Sequence, residues 1–243
     1  MIVPTMNNRE KAYEAFRVTQ YLAQCMDNHL SDVVRKFKNN TRFPYFQRFI
    51  VQDDKNNNWV CLFYMLNKQH KKEKKILTIA YTIYNVPPKH KEDDNSSGKG
   101  CILFDPYSMK NFIEHKIDRM VSVCDITPHT FNRYTERYLK PLNKDNIKFE
   151  YKVESMLARW GWFDICADLY GDINTQNHKE DDKLPYDVMM KGGGILKGQL
   201  THDLLIRFFT YIGKDMMYDN QLLRQEEMRA EYLKLFHKRI KIS

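Results

Sequence analysis

Tyr45–Tyr84 reads YFQRFIVQ-DDKNNN-WVCLFYML-N-KQHKKEKK-ILTIAYTIY, and this stretch decides the fold class. Three runs rich in aromatic and β-branched residues are separated by two polar stretches. Tyr45–Gln52 is the first run and Trp59–Leu66 the second. Ile76–Tyr84 is the third, with Ile79, Tyr81 and Ile83 alternating. Short apolar or alternating runs bounded by turn residues spell strands, and strands this close in sequence pair as an antiparallel meander. Asp53–Asn58 is the first polar turn. The basic connector Lys68–Lys75 reads as a solvated hairpin tip, the usual place for a run of like charges.

Towards the N-terminus, Asn7 or Asn8 caps a helix. Ala12, Ala15, Phe16, Thr19, Leu22, Ala23, Met26, Leu30, Val33 and Phe37 recur at three- and four-residue spacing, so the helix runs to about Lys36. Lys38–Arg42 breaks it and Pro44 forbids continuation. Towards the C-terminus, Val86–Gly100 reads as a loop, Gly100–Asp105 as a short return strand, and Pro106 starts a helix through about Asp118. Val121–Cys124 leads into the next helix.

That next helix carries the chemistry. Thr127 is an N-cap and Pro128 fits the first turn. At about 100° per residue, Phe131, Tyr134 and Tyr138 share one face, while His129, Arg133 and Arg137 line the opposite one. Glu136 and Lys140 are near enough to make ordinary surface pairs with them. A face with one imidazole and two guanidiniums suits plain solvent, and it also suits a phosphate, because arginine clamps its oxygens bidentately and the positive helix end favours neutral imidazole.

After Pro141, Asp145 or Asn146 caps a helix striped by Ile147, Phe149, Val153, Met156, Leu157 and Trp160, and Gly161 ends it. Phe163–Tyr170 fits either helix or strand, and Gly171–Lys183 is polar. Tyr186–Lys191, the glycine turn Gly192–Gly194, Ile195–Leu200 and Leu204–Ile212 predict a second, small antiparallel sheet with the Ile147–Trp160 helix packed on it. In its last strand Arg207, Phe209 and Tyr211 alternate onto one face, with His202 and Asp203 close by. Lys214–Ile240 predicts a long helix, with an interruption near Tyr218-Asp219-Asn220. Its later part carries Leu222, Leu223, Met228, Tyr232, Leu235 and Phe236 and offers a partner protein a surface.

The expected class is therefore α+β: an N-terminal helix and antiparallel meander, then helices, the second sheet and the long C-terminal helix. It divides into units 1–120 and 121–243, or forms one continuous domain. The chain has 243 residues, 42% of them hydrophobic, enough for a sizeable core, and a formal net charge of +8, which favours an acidic partner. Cys25, Cys61, Cys101, Cys124 and Cys166 are dispersed, odd in number and without a CxxC pair. They read as reduced thiols of a cytoplasmic protein, and no cofactor is implied. His90–Asp94 and His178–Asp182 repeat a charged pattern but lack rigid ligand spacing, so no metal is expected. No run approaches the roughly 20 apolar residues of a membrane span.

The order from Ile126 to Ile212 resembles toxin-like domains of the barnase/RelE ribonuclease superfamily. It shares the T-x-H-x3-R-x3-R helix at Thr127, His129, Arg133 and Arg137, then an apolar-striped helix, a glycine-marked hairpin and a strand ending Phe209-Thr210-Tyr211-Ile212. The whole chain also resembles proteins of gut Bacteroides-type bacteria, which brings no function with it. The superfamily resemblance implies metal-independent RNA cleavage. His129 would then be the general base, Arg133 and Arg137 the phosphate clamp, and Thr210 a matching substrate-binding residue; Tyr211 and Arg207 are substrate-binding candidates only by their place near the last strand. The 170–183 loop and the flanking helices depart from the compact family pattern. The alternative is a non-catalytic nucleic-acid- or protein-binding module.

Overall fold

The computed structural model describes residues 2–3, 5–88, 97–115, 123–160, 184–201, 205–219, 222–223 and 226–227. Helix α1 spans Asn8–Asn39. Its cap is Asn7, whose side chain accepts from the Glu10 amide while Glu10 reaches back to the Asn7 amide. That reciprocal pairing satisfies two amides left open at a helix start. The meander follows as β1 (Tyr45–Gln52), β2 (Asn58–Met65), β3 (Leu77–Val86) and β4 (Gly98–Phe104). Each strand pairs antiparallel with the next. The basic connector contains one short helix, α2 (Lys68–Lys72), capped by Asn67. Helix α3 spans Pro106–His115.

The expectation of two separate sheets is corrected here. Val123–Ile126 forms a strand, β5, that pairs antiparallel with β4 on one side and parallel with β8 (Leu205–Ile212) on the other. With β6 (Leu184–Met189) and β7 (Ile195–Leu200), the strands make one eight-stranded sheet in the order β1-β2-β3-β4-β5-β8-β7-β6. Strands β6, β7 and β8 are antiparallel neighbours, as their sequence pattern predicts. The joining strand is only four residues long and contains an aspartate, so it shows no run or alternation to read. Residues 116–122, which include part of the expected unit boundary, lie outside the described set.

Both faces of the sheet are covered, which is why β2 and β5 are buried along nearly their whole length. One face packs α1 and α3: Ala15, Leu22, Met26 and Phe37 meet Trp59, Phe63, Ile102, Phe104 and Val123. The other packs α4 (Pro128–Tyr134) and α5 (Phe149–Arg159). There Phe131, Tyr134, Val153, Met156 and Trp160 meet Leu62, Tyr81, Tyr186, Phe208 and Tyr211. Helix α5 also reaches edge strand β1, where an Arg48 nitrogen lies 3.2 Å from Glu154 Oε1. Its expected cap at Asp145 or Asn146 is corrected: Lys148 occupies the N-cap and supplies no side-chain hydrogen bond.

Two buried carboxylates fasten the α1 layer. Asp125 is fully buried on β5 and accepts from Lys11 Nζ of α1 at 2.7 Å and from Tyr84 Oη of β3 at 2.6 Å. Asp53, in the β1–β2 turn, accepts from the Asn57 amide (2.9 Å) and side chain (2.8 Å), Trp59 Nε1 (3.0 Å) and Arg17 (2.9 Å). Burial alone would raise the Asp53 carboxyl, but these hydrogen bonds together hold it at about 2.

The start of the long helix expected from Lys214 is corrected as well. Lys214–Met216 is a single 3-10 turn, and Met217 follows in extended conformation with its side chain buried, which interrupts any continuous helix there. Residues 228–243, with most of the expected amphipathic stripe, lie outside the described set. So do the ambiguous Phe163–Tyr170 segment, the 171–183 loop and both His-Lys-Glu-Asp-Asp clusters. Among the described residues no helix is long and apolar enough to cross a membrane. Cys61, Cys101 and Cys124 are buried, and burial pushes the Cys61 thiol up to about 12, the behaviour of an unreactive core thiol.

Candidate functional site

Helix α4 begins as its sequence dictates. Thr127 is the N-cap, and its hydroxyl accepts from the Thr130 amide. The Thr127 amide and the Thr130 hydroxyl both donate to the Phe208 carbonyl, at 3.2 and 2.8 Å. The helix start is thus fastened onto β8 beside β5. Phe131 and Tyr134 are buried, as their spacing predicts.

One turn later the regular period fails. Thr135–Leu139 is a π-turn, and Lys140–Leu142 a 3-10 turn. A π-turn adds a residue per turn, so side chains beyond it rotate out of phase with those before it. Leu139 becomes the buried residue and Tyr138 is only half buried. Arg137 swings to the sheet and donates to the Tyr211 carbonyl at 2.6 Å. His129 and Arg133 are half buried, and Arg133 pairs with Glu136 at 2.7 Å. The three residues therefore do not form one outward row.

The β8 residues are separated too. Between Gly198 and Lys197 the register jumps from Phe208 to Thr210, leaving Phe209 as a bulge residue. A bulge reverses the alternation of side chains beyond it. Arg207 lies on the α1 side, half exposed, with its Nε 3.8 Å from Asp125. Tyr211 lies in the core on the α5 side, and Thr210 is half buried. The expected shared face of Arg207, Phe209 and Tyr211 does not form.

What Tyr211 joins is a cation buried among aromatic rings. The Arg159 guanidinium stacks 3.5 Å from the Tyr138 ring centroid, with Tyr134 and Tyr211 at 5.7 and 5.9 Å. It donates to the Lys191 carbonyl at 3.0 Å, to the Gly193 carbonyl and to Tyr211 Oη at 3.3 Å. Two of its acceptors are thus carbonyls of the glycine turn. A Cβ on Gly194 would come within 2.3 Å of Tyr211 Oη. The glycines serve close packing around an arginine, and every donor of that arginine named here is directed inward.

A surface concavity lies next to this core, between the start of β4, α4 and the start of α5. It encloses about 250 Å³ and is lined by Lys99, Phe131, Asn132, Thr135, Ile147, Phe149 and Lys152. Phe131 and Phe149 form its apolar floor, with ring centroids 4.5 Å apart and tilted by 57°. Phe131 is buried, whereas Phe149 keeps part of its surface open. Lys152 donates to the Thr135 hydroxyl at 3.2 Å, which uses one of three ammonium donors. Burial pulls its pKa below the ordinary lysine value, with Asp145 acting the other way. Asn132 donates to the Ser97 carbonyl at 3.1 Å, holding α4 against the start of β4.

No family model, curated protein or solved structure matches this chain. The cleft therefore has to be read from its own residues. It brings together two cations, an amide, a hydroxyl and an open aromatic surface, and none of His129, Arg133 and Arg137 lines it. Among the described residues no group of histidine, cysteine and carboxylate side chains is placed to hold a metal. The cleft is not legible in the sequence because Lys99 comes from a separate strand, 29 positions before the start of α4. The only local signal was the spacing of Asn132 with Thr135 and of Phe149 with Lys152, each pair three residues apart and so adjacent on a helix surface.

Proposed function

We propose that this chain is a nucleic-acid-binding module that works without catalysis, using the α4–α5 cleft. The observation that carries the proposal is the pairing of Lys99 and Lys152 with the partly open Phe149 ring in one small concavity. The formal net charge of +8 and the exposed Lys140, Lys144 and Lys148 on the α4–α5 connection extend a positive surface beside it. Cations bind phosphates, and aromatic surface holds bases without regard to sequence. The engagement of Arg137 with the Tyr211 carbonyl and of Arg133 with Glu136 supports binding over a metal-independent ribonuclease centred on His129. Such an enzyme needs free cations aimed at the phosphorane.

Anisotropy titrations with labelled single-stranded and duplex oligonucleotides test this reading. Neutralising three or four phosphates gives a log–log salt slope of about −2 to −3.5. Lys99→Glu with Lys152→Glu should weaken binding at least tenfold. No association with any oligonucleotide at low salt would reject the proposal. A cleavage assay on the same RNA separates the two readings. If the wild type cleaves and His129→Ala, folded to within about 0.5 kcal/mol of wild type, does not, the ribonuclease reading replaces this one.

A further inference from the structure

Resting on that reading, we infer that the cleft seats one unpaired base, so that the module selects single-stranded over duplex nucleic acid. Size is the first ground. A cleft of about 250 Å³ falls just below the range for drug-sized ligands, about 300–1,000 Å³, which matches a single planar base with part of its sugar. Shape is the second. The site is a recess between two helices, whereas the bases of a duplex are stacked inside the helix and offer only groove edges. An unpaired base swings out and inserts; a duplex would have to place its backbone across the mouth and leave the floor empty.

The chemistry of the walls agrees. The floor is Phe149, half open, set against buried Phe131, and a base stacks on such a surface. Asn132 and Thr135 set a polar edge beside that floor, held in place by their bonds to the Ser97 carbonyl and to Lys152. Lys99 is exposed, and Lys152 keeps donors beyond its bond to Thr135, so both are free to meet the phosphates flanking the base. Stacking supplies the preference for a single strand and the lysines supply the salt dependence.

The experiment compares a labelled single strand, its duplex, and a single strand of equal length with abasic sugars, all against the wild-type protein. Stacking worth about 1–3 kcal/mol per base corresponds to at least a fivefold difference. The single strand should therefore bind at least fivefold tighter than both the duplex and the abasic strand. Phe149→Leu keeps an apolar side chain but removes the aromatic face, and should erase the preference for the base-bearing strand over the abasic one. Equal affinity for base-bearing and abasic strands overturns the base seat and leaves nucleic-acid binding standing. Loss of all binding overturns both. The abasic comparison uses unaltered protein, so it decides the matter even if Phe149→Leu does not fold.

Discussion

Replacing Lys11 by methionine should destabilise the whole chain by about 3–5 kcal/mol, the range for removing one partner of a buried ion pair. Both side chains are out of water, at 4% and 0% exposure, and they meet at 2.7 Å. Without the ammonium, Asp125 keeps one hydroxyl donor, Tyr84 at 2.6 Å, and a guanidinium 3.8 Å away that is itself half in solvent. Neither restores a charge-paired hydrogen bond. Asp125→Asn alone should cost a similar amount, because it leaves the Lys11 ammonium buried without a counter-charge. In the double variant both charges are gone and Tyr84 still donates to the asparagine oxygen. The remaining cost is an unpaired amide donor, about 1–3 kcal/mol. The cycle should therefore close with a coupling of at least about 2 kcal/mol, well outside the 0.3–0.5 kcal/mol scatter of independent sites. Urea unfolding followed by tryptophan fluorescence and far-ultraviolet dichroism measures it. Trp59 reports the α1-side core and Trp160 the α5-side core. Coincident transitions are expected, since Asp125 lies on the strand that joins the two halves of the sheet. A Lys11→Met loss under about 1 kcal/mol, or additive single effects, would refute the reasoning.

Two further outcomes follow from other buried groups. The Asp53 carboxyl is held at about 2, against about 4 when unfolded, so its stabilisation is present above pH 4 and is lost as the pH falls towards 2. That amounts to about 2 kcal/mol, and Asp53→Asn should lower stability at neutral pH while flattening this acid limb in unfolding titrations. At the glycine turn, Gly194→Ala should cost about 3 kcal/mol or more, because its Cβ would strike Tyr211 Oη at 2.3 Å with φ at +96°. Gly192→Ala has φ at +82° and nothing within 4 Å, so backbone strain alone should cost about 1 kcal/mol. Thermal unfolding that ranks the two equally would contradict the packing described around Arg159.

Local signals carried much of the fold. Asn7 capped α1, Thr127 capped α4, and the three runs of the meander emerged as strands within a residue or two of their expected ends. Each of these features is written in neighbouring residues: a side chain that bonds an amide three positions on, or an apolar stripe with one period. The α4 face was read correctly as far as Tyr134. Beyond it, the π-turn and the β8 bulge each inserted one residue into a regular period, and so moved Arg137 and Tyr211 out of the expected site.

The amino-acid sequence by itself determined α1, the strands of the meander, the hairpin neighbours β6 to β8, the inward face of α4 as far as Tyr134, and a positive charge that is a property of composition. Only the tertiary structure decided that the two expected sheets are one, because a four-residue strand carries too little pattern to declare its neighbours. It alone decided that Asp125 pairs with Lys11, separated by 114 positions. It alone decided that Arg159 is enclosed by tyrosines and that Lys99 meets Lys152 across a cleft. Periodicity fixes the direction of a side chain relative to its own element; which element lies opposite is set by how all the apolar faces pack at once.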